Sequence, residues 1–84
     1  MSETQAELLA TVAEQLISHR VMLGLEIEEA AAEAKVAPER LAAAEEAKLP
    51  LDEQELGRLA DAYGIDVTAF FGGQTTPVSY LFGA

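Results

Sequence analysis

The chain has 84 residues with no cysteine and a single histidine, so it offers no disulfide framework, no thiolate metal site and no zinc site built on imidazoles. Half of the residues are hydrophobic, enough for one core in one domain, and alanine prevails over aromatics (two Tyr, three Phe, no Trp), which favours closely approaching helices and an all-α class. Fifteen acids against five bases give a net charge of -10, an adverse start for binding duplex DNA, which presents a negative charge about every 1.7 Å along its axis.

The N-terminus is polar and acidic and has no basic leader segment. Two capping boxes overlap there, Ser2 with Gln5 and Thr4 with Glu7. Leu9, Val12, Leu16 and Leu23 recur at helical spacing and Gly24 supplies a stop, predicting a first helix over roughly 4–22. A short second helix is predicted over about 27–34, with Ile27, Ala30, Ala31 and Ala34 on one face and Glu28, Glu29 and Glu33 on the other. Lys35 and Val36 make a tight turn. Pro38 suits a first helical position, and Leu41, Ala44 and Glu45 carry a third helix to about Ala47, with Pro50 blocking continuation. Asp52 and Glu55 form a further capping pair ahead of a fourth helix, whose Leu56, Leu59, Ala60 and Tyr63 make an apolar stripe before Gly64. Asp66 caps a fifth, short helix carrying Val67, Phe70 and Phe71, ended by Gly72 and Gly73.

These elements predict a five-helix domain over 1–73 and a tail over 74–84 that turns apolar at Tyr80, Leu81 and Phe82. Val78, Tyr80, Leu81 and Phe82 either pack back on the first and fifth helices, or form a contact across a homodimer, or meet a foreign partner. No apolar stretch approaches the ~18 residues a membrane span needs. A soluble, unprocessed protein of a bacterial cytoplasm is expected, without membrane contact.

The run Gly24 to Leu41 (GLEIEEAAAEAKVAPERL) resembles the helix-turn-helix core of the Cro/C1 family of transcriptional regulators, also called the xenobiotic-response-element family. Leu56 to Val67 (LGRLADAYGIDV) is similar to that family's fourth helix and its lead into the fifth. Both runs fall in register without gaps, and the resemblance covers roughly residues 9–71. It implies a lambda-repressor-like five-helix domain with a role in transcription regulation. Ala31 matches the position where the two helices of the motif cross closely, and Val36 and Leu41 match the apolar residues that pin the turn and the third helix. Arg20 and Glu45 match a pair that forms a partly buried salt bridge between helix 1 and the end of helix 3 in family members.

In the family, the start of helix 2 and the exposed face of helix 3 carry polar or basic side chains that touch phosphates and base edges. The matching positions here are Glu26, Ile27, Ala37, Pro38, Glu39, Ala42 and Ala43. Ala and Pro offer no polar side-chain group, Glu26 stands where a phosphate would approach, and Glu39 alone could accept a hydrogen bond, from a cytosine amino group. Lys35, Arg40 and Lys48 are the candidates for phosphate or partner contacts. Lys35 and Ala47 also replace glycines common in the family, and left-handed backbone at either would cost about 1 kcal/mol more than with glycine.

The reading is a small transcription-regulatory protein acting mainly through protein contacts, with a regulator or a second copy of itself as partner and direct DNA binding weakened or lost. The alternative is a dimeric, sequence-specific DNA-binding regulator. Catalysis needs convergent acid, base and nucleophile, and His19 is the sole imidazole; it is read as packed or half-buried. No phosphate loop, dinucleotide fingerprint or metal-ligand spacing is present. No enzymatic activity, cofactor or metal is therefore expected, and the glutamates follow the spacing of a solvated helical face.

Overall fold

The computed structural model describes residues 4–73 together with Pro77 and Tyr80. Within them every regular element is helical: α1 (Gln5–Met22), α2 (Ile27–Ala34), α3 (Pro38–Glu45), α4 (Glu53–Tyr63) and a short 3-10 segment (Val67–Phe71). The sequence predicts a fifth helix over Val67–Phe71, where the structure has a 3-10 turn after the four α-helices α1–α4. Asp66 does cap it, accepting from the Thr68 amide at 2.9 Å, but Val67 and Thr68 are β-branched and Gly72 turns left-handed after only five residues. So short a stretch does not recover the cost of nucleating an α-helix, whereas a 3-10 turn closes with fewer fixed residues.

The helix starts follow from side chains that replace missing backbone partners. At α1 the Glu7 amide donates to the Thr4 hydroxyl and the Thr4 amide to the Glu7 carboxylate. At α4 Asp52 and Glu55 exchange the same pair of bonds, at 2.8 and 2.9 Å. The Ser2–Gln5 box lies outside the described residues through Ser2. Gln5 instead donates from its side chain to the Tyr80 carbonyl at 2.8 Å.

All four α-helices end in the same way. The residue just past the last turn is left-handed, and the amide after it reaches back across the turn: Leu25 to the Arg20 carbonyl, Val36 to Ala31, Lys48 to Ala43 and Ile65 to Ala60. Gly24 and Gly64 take this conformation in two of the turns, but in the other two it falls on Lys35 (φ 58°) and Ala47 (φ 60°). The third helix consequently stops at Glu45, short of the Ala47 that the sequence suggests. Lys35→Gly and Ala47→Gly are each expected to stabilise the domain by about 1 kcal/mol, since relief of left-handed strain outweighs the entropy glycine adds to the unfolded chain. Urea denaturation midpoints of the two variants and their combination check this.

The core gathers Val12 and Leu16 of α1, Ala30, Ala31 and Ala34 of α2, Leu41 and Ala44 of α3, Leu56, Leu59, Ala60 and Tyr63 of α4, and Phe70 and Phe71. The three alanines leave α2 little thicker than its backbone, so it packs against both α3 and α4 while α1 lies against α3 and the 3-10 segment. Spacing places Leu9 and Leu23 on the buried stripe. The structure uses Leu8 there, leaves Leu9 half-buried, and carries Leu23 past the end of α1 into solvent.

Tyr80 joins this core. It is fully buried, its ring meets Phe71 edge-on at 5.2 Å between centroids, and its hydroxyl accepts from the Leu51 amide at 2.9 Å. One residue of the tail thus packs within its own chain, touching the loop before α4, the 3-10 segment and the first turn of α1. Val78, Leu81 and Phe82 lie outside the described residues.

Candidate functional site

Two guanidiniums organise the helices around α2 and α3. Arg20, near the end of α1, donates from Nε and Nη2 to the two oxygens of Glu45 at 2.8 and 2.9 Å, and from Nη1 to the Leu25 carbonyl at 2.8 Å. One side chain therefore joins the end of α1, the loop leading into α2 and the last turn of α3. The pair is largely out of solvent, and the hydrogen bonds to Glu45 raise the Arg20 pKa above its ordinary value.

Arg40 on α3 forms the second fork. Its Nε and Nη2 donate to the two oxygens of Glu55 at 2.6 and 2.7 Å, and Glu55 Oε1 also accepts the Asp52 amide. The sequence marks Glu55 as a capping residue of α4 and Arg40 as a candidate for phosphate or partner contacts, yet one carboxylate serves the cap and the ion pair together. Fifteen residues separate the partners, and no local spacing rule links them. Arg58 on α4 is a third such guanidinium, one the sequence does not single out: its Nε donates to the Ala34 carbonyl at 2.9 Å, closing an open end of α2.

Glu55 is held below the ordinary carboxylate value of 4.5, chiefly by the hydrogen bonds from Arg40 and against the opposing effect of burial. A carboxyl that ionises more readily folded than unfolded contributes stability that is complete above that ordinary value and is lost as pH falls through the depressed folded value. Glu55→Gln is expected to lower stability at neutral pH by about 1–2 kcal/mol. It should also flatten the loss of thermal midpoint below pH 4.5, as followed by circular dichroism.

The positions that the sequence resemblance singles out for DNA reading lie at the start of α2 and along α3. Glu26, Ala37, Pro38 and Glu39 are exposed, Ala42 and Ala43 are half-buried, and Ile27 packs against the edge of the core. Of the candidate cations, Lys35 is exposed and makes no ion pair among the described residues. Lys48 pairs with Glu46 at 2.8 Å in full solvent, an interaction of small energetic weight. Arg40 has both of its bonded arms turned toward Glu55. His19 is half-buried, edge-on to Phe70.

Among the described residues no three His, Asp or Glu side chains come together as a metal-binding group, and no helix is long and apolar enough to cross a membrane. No protein-family model, curated protein or solved structure gives a significant match to this chain.

Proposed function

We propose that the chain is a small transcription-regulatory protein of the Cro/C1 helix-turn-helix type that acts mainly through protein contacts, with direct DNA binding weakened or lost. The helix-turn-helix reading is supported by α2 and α3 packing together across the short connection Lys35–Ala37, with Ala31 fully buried between helices. The observation that carries the functional part is the engagement of Arg40. It is the one guanidinium on α3, and its Nε and Nη2 donate to Glu55, whose carboxylate offsets its charge and holds the fork away from a bidentate contact with a phosphate or a guanine edge. Around it stand Ala37, Pro38, Glu39, Ala42 and Ala43, which supply neither donors nor positive charge.

Phosphate contacts account for nearly all nonspecific affinity, so an acidic surface with one unpaired lysine has little with which to hold a duplex while searching for a site. Selection on random and genomic duplex DNA at low salt tests the reading. No enriched sequence is expected, and an enriched, reproducible motif would overturn it.

A further inference from the structure

The end of α1 collects the apolar surface that the core does not use. Ile17, Val21, Met22 and Leu23 are the large hydrophobics exposed among the described residues, with Met22 79% and Val21 60% accessible, and all four fall within seven residues. Ile17 and Val21 share a face of α1, Met22 adjoins it, and Leu23 continues from the end of the helix into the loop. Surface of this kind gathered in one place, unlike scattered single residues, marks a contact site.

Carboxylates flank it. Glu14 lies three residues before Ile17 and seven before Val21, on the same outward face of α1. Glu26, close enough for its charge to raise the Arg20 pKa, opens the exposed acidic start of α2 that Glu28 and Glu29 continue. The one permanent cation of this region is not free to offset them: Arg20 is committed to Glu45 and Leu25.

We infer that the end of α1 and the start of α2 form a docking surface for a basic amphipathic segment of a partner protein. Its apolar side covers Ile17, Val21, Met22 and Leu23, and its lysines or arginines meet Glu14, Glu26, Glu28 and Glu29. This deepens the proposed function and rests on it. A second copy of the chain is a poor occupant. It brings the same net charge of -10, and four of its five cations, Arg20, Arg40, Lys48 and Arg58, already donate to acceptors of their own chain. A basic segment supplies what both halves of the surface lack, and the acidic flank speeds its encounter.

The test is titration of the isotope-labelled full chain with a synthetic amphipathic helix of leucine and lysine, with oligolysine and with a leucine–glutamate helix as controls, followed by backbone amide shifts. The leucine–lysine helix should bind and shift residues 14–29; oligolysine should bind more weakly, and the leucine–glutamate helix not at all. The double variant Val21→Glu/Met22→Glu separates docking from general attraction. It makes the protein more acidic, so pure charge attraction predicts tighter binding, whereas the docking surface predicts binding about tenfold weaker. Both positions are exposed, and Val21→Ser/Met22→Ser should give the same weakening at unchanged charge, with circular dichroism confirming the fold of each. Unchanged or tighter binding by the glutamate variant overturns the proposal. So does a wild-type dimer in sedimentation equilibrium that the serine variant dissociates, because the occupant is then a second copy. Loss of the peptide effect with no DNA enrichment removes this surface alone, whereas DNA enrichment removes the regulatory reading beneath it.

Discussion

Arg20→Met is expected to destabilise the domain by about 3 kcal/mol, because it leaves the Glu45 carboxylate buried opposite an apolar side chain. Glu45 is 9% exposed and sits in the last turn of α3, where the negative end of the helix already disfavours a carboxylate. For a domain of this size such a loss lowers the melting temperature by roughly 15 °C. The double variant Arg20→Met/Glu45→Leu should recover much of it, since removing both charges also removes the desolvated, unpaired one. Recovery should stay incomplete, because the Leu25 carbonyl still loses its donor. Urea melts of the wild type, both single variants and the double variant measure the coupling directly. A double variant no better than Arg20→Met would mean that Arg20 acts through Leu25 and packing, and that its pairing with Glu45 contributes little.

Tyr80→Ala has the other large expected effect, about 3–5 kcal/mol, the cost of emptying a fully enclosed aromatic position. The Tyr80 ring and hydroxyl make separable contributions. Tyr80→Phe keeps the edge-on contact with Phe71 but strands the buried Leu51 amide, and should cost about 1–3 kcal/mol. Denaturant midpoints of the two variants rank them. A cost for Tyr80→Ala of less than about 1 kcal/mol would show that the ring adds nothing to the core.

Much of the fold is legible locally. Thr4–Glu7, Asp52–Glu55 and Asp66 mark three starts because the groups that bond are two or three residues apart, and Gly24 and Gly64 mark two stops because they favour the conformation the stop needs. The stops at Lys35 and Ala47 carry no such residue: helical spacing and the prolines that follow place these two ends only roughly, and the glycines that the Cro/C1 resemblance expects there point to the left-handed backbone. Leu8 against Leu9 is a near tie in helical spacing, settled by how α1 lies on its neighbours. The long-range bonds divide in the same way. Arg20 and Glu45 are visible through the resemblance, while Arg40 with Glu55, Arg58 with Ala34 and Tyr80 with Leu51 have no local pattern, since each depends on how elements distant in sequence come to lie side by side. The apolar end of α1 is the instructive miss. Leu23 reads as core because it repeats at helical spacing, but the helix ends before it and the side chain is left outside with Val21 and Met22.

The bond from Gln5 to the Tyr80 carbonyl spans 75 positions of sequence, whereas α2, α3 and α4 pack as near neighbours along the chain. Contacts so far apart pay the largest loop-closure entropy and tend to form after the local ones, downstream of the main folding barrier. Weakening them therefore leaves the folding rate almost unchanged and speeds unfolding. The Gln5–Tyr80 bond then governs the lifetime of the native state more than the speed of reaching it, and a chevron plot of Gln5→Ala, which removes that bond, should move mainly in its unfolding arm.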